Sequence, residues 1–178
     1  MPTVFVEGET DRDYLHACLR ILKLSELQSE LRIEWVGNNI AGQAHKGGKE
    51  ALNAVAKLFK AKPDLLKHKL LLLYDCDAGN RAEDFAEKLF MRTIPANSTN
   101  TKFRRGIENL LPESLAREEF YDNRVDQYGA NIQILNKRRL CDWVIAQNDP
   151  AMFSGFEPVL EILQQFKDAG AALPTPDG

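Results

Sequence analysis

Apolar positions along the first hundred residues fall into blocks whose period changes. Val4-Phe5-Val6 is a short apolar run closed by Glu7-Gly8 and reads as a strand. Thr10 can cap a helix over about residues 11–24, where Leu15, Cys18, Leu19 and Leu22 recur at helical spacing. Leu31–Val36 reads as a second strand and is followed by a glycine-rich loop from Gly37 to Gly48. A second helix is predicted from Lys49 to about Lys60, with Leu52, Val55, Ala56 and Phe59 inward and Pro63 ending it. Leu70–Tyr74 is continuously apolar, as expected of a central parallel strand covered on both faces. Beyond Asp75-Cys76-Asp77-Ala78-Gly79-Asn80, a third helix is predicted over about 82–90, then a weak fourth strand at Met91–Ile94.

This order predicts an α/β fold: a mostly parallel, four-stranded sheet flanked by helices, with right-handed crossovers. The pattern changes after Pro95. A polar loop covers 97–101, Gly106-Ile107-Glu108-Asn109-Leu110-Leu111-Pro112 forms a compact segment, and two helices are predicted at about 136–147 and 157–168. The expected division is a core over 1–112, a small helical C-terminal extension over 113–170 that completes the domain, and a flexible tail over 171–178.

Composition narrows the class. The 178 residues are 44% apolar and 28% charged, the balance of a globular protein rather than a disordered one. Leu70–Tyr74, the longest apolar run, is far too short to span a bilayer, and no basic segment leads into an apolar run at the start. A cytoplasmic protein without a membrane partner is expected. Cys18, Cys76 and Cys141 form no CxxC pair, which argues against a zinc ribbon or a thioredoxin-type site. With only three histidines, any metal would be held by oxygen ligands.

The net charge of −3 excludes a protein that coats nucleic acid by bulk charge, yet the charge is unevenly spread. Residues 45–69 carry seven lysines against Glu50 and Asp64, and two further basic clusters follow, Lys102-Arg104-Arg105 and Lys137-Arg138-Arg139. Local basic patches can hold a polyanion on an otherwise acidic protein.

Open parallel sheets place their sites beyond the carboxyl ends of the strands. Two acidic motifs stand at such ends. Glu7 closes the first strand and Asp11 lies one helical turn further on, while Asp75 and Asp77 follow the central strand two residues apart. Carboxylates aimed at one point repel one another unless a cation neutralises them or some protonate. Magnesium and manganese are the hard cations that such oxygens suit.

Val4-Phe5-Val6-Glu7-Gly8-x-x-Asp11, followed by Leu71-Leu72-Leu73-Tyr74-Asp75-Cys76-Asp77, resembles the Toprim domain of topoisomerases, bacterial primases, recombination mediators and OLD-type (overcoming lysogenization defect) nucleases. Asp11 and the Gly106–Pro112 segment, similar to an "IEN" motif, point to the OLD-type branch. The resemblance implies a Rossmann-like Toprim fold and a metal-dependent nuclease that hydrolyses phosphodiesters of DNA, ahead of RNA, with two Mg2+ or Mn2+ ions about 4 Å apart. It assigns Glu7, Asp11, Asp75, Asp77 and Glu108 to the metals. Glu7 and Asp75 are expected to be catalytic, together with Lys137, a role that Arg138 or Arg139 could also fill. Lys46, Lys49, Lys102, Arg104 and Arg105 would track the phosphate backbone, with His45 able to touch substrate. OLD-type nucleases carry an ABC-type ATPase, but this chain has no GxxxxGK[ST] segment. A separate ATPase subunit, a role in anti-phage defence and a homo-oligomer are therefore expectations from resemblance alone. The alternatives are a non-catalytic Toprim scaffold and a primase-type nucleotidyl transferase. Trp35 and Trp143 are expected in core packing, and Cys76 as a buried small residue.

Overall fold

The computed structural model describes residues 1–40, 43–45 and 47–169. The chain opens with β1 (Thr3–Val6), α1 (Glu9–Ile21), α2 (Ser25–Glu30) and β2 (Arg32–Trp35). Two short strands, β3 (Asn38–Ile40) and β4 (Gln43–His45), pair antiparallel within the expected glycine-rich loop. Next come α3 (Lys49–Ala61), β5 (Leu70–Tyr74), β6 (Ala82–Phe85) and β7 (Leu89–Thr93). The remainder forms β8 (Tyr121–Val125), β9 (Asn131–Leu135), α4 (Lys137–Gln147) and α5 (Glu157–Asp168), with short 3-10 turns between.

The main sheet has the order β2-β1-β5-β7-β6. Its first four strands are parallel and β6 runs antiparallel at the edge. The fold is thus α/β with a mostly parallel sheet between helices, and the sheet has five strands where four are expected. Alternation along the strands sorts side chains to two cores. Val4, Val6, Leu71 and Leu73 face α1, α4 and α5, where Leu15, Cys18, Leu19, Val144 and Leu163 are buried. Leu70, Leu72, Tyr74, Leu89 and Met91 face α3 through Leu52 and Ala56. Each fully buried leucine contributes about 1.5–3 kcal/mol of burial, so β5, buried at all five positions, is the sheet's anchor.

The helix expected at 82–90 is instead the hairpin β6–β7, paired from Ala82↔Arg92 to Phe85↔Leu89. The composition of this segment favours a helix, but β7 buries Leu89 and Met91 on one face while Phe90 packs edge-on to Phe166 on the other, with ring centroids 5.4 Å apart. Strand pairing to β5 outweighs local propensity. Ion pairs Lys60–Glu83 and Arg92–Asp84, both 2.6 Å, hold the charged edge strand. The tight turn uses Ala86 at φ 51° and Glu87 at φ 56°, without the glycine or asparagine that normally signals such a turn.

The C-terminal extension also departs from expectation. Besides its two helices it carries the antiparallel hairpin β8–β9. The tail expected over 171–178 lies outside the described residues. No helix among the described residues is long and apolar enough to cross a membrane.

The hairpin at 82–93 generates a test by substitution. A non-glycine residue in the left-handed region costs about 1–2 kcal/mol, so Glu87→Gly is expected to raise stability by about 1 kcal/mol in urea denaturation. In a helix the same change would lower it by a similar amount.

Candidate functional site

The expected acids come from three separate stretches of chain that meet at the carboxyl edge of the parallel strands. Glu7 directly follows β1, Asp11 sits in the first turn of α1, and Asp75 directly follows β5. The Asp75 N–H donates to Glu7 Oε1 at 3.0 Å, tying the two strand ends together. Asp11 is 3% exposed and Asp75 9% exposed, whereas Asp77 is exposed and accepts the Gly106 N–H at 3.2 Å. Glu108 lies in a 3-10 turn (Ile107–Leu110) and is wholly buried. Lys137, the first residue of α4, places its Nζ 3.0 Å from Glu108 Oε2. This is an ion-pair distance without hydrogen-bond alignment, since both Glu108 oxygens lack a hydrogen-bond donor. Asp11 Oδ1 lacks one too, as does the hydroxyl of fully buried Tyr14 one turn along α1.

Glu7, Glu9, Asp11, Asp75, Lys137 and Trp35 line one cleft of about 280 Å³. Lys137 is therefore the member of the 137–139 cluster that reaches the acids. Arg138 pairs with Asp13 at 2.7 Å and with Asp142, and Arg139 pairs with Asp122 at 2.8 Å. Lys49 is near enough to Glu7 to favour its charged form. Lys102, Arg104 and Arg105 line a separate groove that shares Lys137 with the cleft. Lys46 lies outside the described residues, and so does the side chain of His45. Cys76 is half-buried and its thiol donates to Gly106 O at 3.6 Å. Trp143 packs against Phe120, but Trp35, expected only in the core, also walls the cleft.

Two glycines allow the close approach. A Cβ on Gly47 would lie 2.9 Å from Glu7 O. Gly106 has φ +68°, and a Cβ there would stand 2.4 Å from Glu108 Oε2 and 2.6 Å from Lys137 Nζ.

Two asparagines shape the neighbouring loop: Asn109, noted in the sequence only as part of the "IEN" motif, and Asn100, which the sequence did not single out. Buried Asn109 accepts the Asn97 N–H at 2.6 Å and donates to Phe103 O at 2.6 Å. Buried Asn100 donates to Asn109 O and Leu111 O and accepts the Phe103 N–H. Only their bonding to main chain within the same 97–111 loop distinguishes them from ordinary loop asparagines.

The electrostatics follow from burial. Asp75 is pushed up to about 9 by burial and then by the charges of Asp11 and Glu7, with Lys137 opposing. Asp11 is pushed up to about 7 by burial and by Glu108, again against Lys137. Glu7 is raised chiefly by burial, and the Asp75 N–H opposes the rise. Burial works against the charge on Lys137, but Glu108, Asp11 and Asp75 outweigh it and keep the ammonium protonated. Among the described residues, no three histidine, cysteine, aspartate or glutamate side chains form a ready-made cage for a metal ion.

Raised carboxyl values favour the folded state most at low pH. The metal-free protein should therefore be most stable below about pH 4 as far as these groups decide, and its melting temperature should fall as pH rises through about 7 and about 9. At pH 8 Asp75 keeps its proton in the folded protein and loses it in the unfolded chain, a cost that Asp75→Asn abolishes. The variant is expected to stabilise the metal-free protein at pH 8 by about 1–2 kcal/mol, a rise of a few degrees in calorimetry. Gly106→Ala should cost at least about 1–3 kcal/mol, because φ +68° with ψ −175° is open essentially to glycine alone and the added Cβ would clash with Glu108 and Lys137. No protein-family model, curated protein or solved structure matches the chain.

Proposed function

We propose that the chain is a metal-dependent nuclease that hydrolyses phosphodiester bonds at a Toprim-type site of the OLD branch. The observation that carries this reading is the convergence of Asp11, Asp75 and Glu108, buried, on one lysine, with Asp11 Oδ1 lacking any donor and Glu108 met only by that lysine. Like charges sheltered from water are costly, and an all-oxygen donor set with orphaned atoms fits a hard divalent cation. The order of motifs agrees, with the glutamate after β1 and the Asp-x-Asp after β5, third of the parallel strands in chain order.

In this reading Glu7, Asp11, Asp75, Asp77 and Glu108 hold Mg2+ or Mn2+. When bound, such ions activate water and neutralise the departing oxygen. Glu7 Oε1 is engaged by the Asp75 N–H, which leaves Oε2 to take a proton from the attacking water, and its raised affinity for protons suits a general base. Lys137 Nζ, with its side chain 46% exposed at the cleft, balances charge on the phosphoryl oxygens. Lys49 guides the phosphate backbone towards the cleft.

A scaffold without turnover is the second reading. It is favoured by the ion pair that already satisfies Glu108 in part and by the absence of a ready-made cage among the described residues.

Cleavage of supercoiled plasmid and of a structured RNA, with magnesium, manganese or EDTA, tests the proposal. Metal-dependent cleavage is expected, with Asp75→Ala and Glu7→Ala each reducing it at least about a hundredfold. Full cleavage by both variants would refute the assignment. Lys137→Met should reduce turnover by about 10²–10³ while calorimetric manganese affinity is kept or rises, since a competing cation is gone. A protein that cleaves neither substrate and takes up no manganese would be the scaffold.

A further inference from the structure

The groove beside the cleft has a composition that phosphate tracking alone does not require. It encloses about 370 Å³, and Lys102, Arg104, Arg105 and Lys137 stand around it without an acidic residue in its lining. Among the described residues, none of Lys102, Arg104 and Arg105 has an ion-pair partner, unlike Arg138 and Arg139. The Asn100–Asn109 network fixes the loop that presents them, and Arg104 Nε is further anchored on Thr101 O at 3.1 Å. The rest of the lining is apolar. From the β8–β9 hairpin come half-buried Tyr121 and Leu135, paired with each other, and Ile134, on the other face of the hairpin and 39% exposed.

A duplex keeps its bases stacked and offers a protein surface phosphates and base edges. An unpaired strand also offers base faces, which stack on aromatic and apolar side chains while cations hold its backbone. A groove that joins cations with an aromatic ring, Tyr121, and an exposed aliphatic side chain, Ile134, matches the second ligand. Lys137 borders both the groove and the cleft, so a strand lying in the groove leads directly to the acids.

We infer that this groove binds an unpaired stretch of nucleic acid next to the phosphate to be cut, which makes single-stranded DNA or RNA the preferred substrate class. The inference rests on the nuclease reading of the cleft for its consequence, but not for its test. Fluorescence anisotropy of the full chain, in calcium and in EDTA, would compare labelled oligothymidylate, oligouridylate and a blunt DNA duplex of equal length. At least one single strand is expected to bind about tenfold more tightly than the duplex, and the two single-stranded arms tell DNA from RNA.

Ile134→Ser, at an exposed position, and Tyr121→Leu, which keeps an apolar residue against the core, should each weaken single-strand binding about three- to tenfold and leave duplex binding unchanged. Arg104→Ala with Arg105→Ala should weaken both and flatten the salt dependence. Duplex binding as tight as single-strand binding would overturn the inference, as would equal losses for both ligands in Ile134→Ser and Tyr121→Leu. Single-strand preference in a protein without metal-dependent cleavage would keep the groove and remove the nuclease. Cleavage with duplex preference would do the reverse.

Discussion

Asp11, Asp75 and Glu108 carry like charge into a region sheltered from water, with Lys137 as the cation placed among them. Much of the surrounding structure answers that repulsion. The Asp75 N–H is spent on Glu7, the Gly106 N–H on Asp77, and the first residue of α4 on Glu108. Burial lifts the proton affinity of Asp75 and Asp11. The arrangement is costly to hold with every acid ionised, and it eases if protons or a cation are taken up.

The sheet makes this crowding possible. β1 and β5 are adjacent and in register, from Thr3↔Leu70 to Val6↔Leu73, so the residues that follow them emerge side by side. Apolar contacts on both faces fix the strands far more firmly than any polar contact at the edge. The C-terminal part then closes the site from outside the sheet. α4 packs on α1, which brings Lys137 to the acids, and the buried turn at 107–110 sets Glu108 3.0 Å from it. The extension is therefore a structural part of the site rather than an appendage to it.

The cleft and the groove divide the work in the proposed nuclease. The cleft gathers acidic oxygens, which suit cations that would in turn hold the reacting phosphate. The groove gathers cations and apolar side chains, which suit the strand on either side of that phosphate. Their shared lysine couples the two, and opposite charge in neighbouring concavities orients a polyanion with its backbone held and one phosphate presented.

Much of this was legible in the sequence. The α/β class followed from the change of period between blocks, and β1, β5, α4 and α5 lie almost where their apolar patterns put them, because burial on one or both faces leaves a direct mark on residue order. The acids after β1 and β5 were also visible, since residues at strand ends in a parallel sheet must share an edge. Other features depend on partners distant along the chain. The 82–90 segment reads as a helix, and only pairing to β5 makes it a hairpin. Nothing local separates Lys137 from Arg138 and Arg139; the packing of α4 on α1 turns one towards the acids and the others towards Asp13, Asp142 and Asp122. Asn100 and Asn109 gain their roles from main-chain groups that only the fold brings within reach. The sequence by itself determined which residues are apolar, which are acidic and at what period they recur. Tertiary structure decided which charges meet, because that depends on distances between segments that local pattern does not encode.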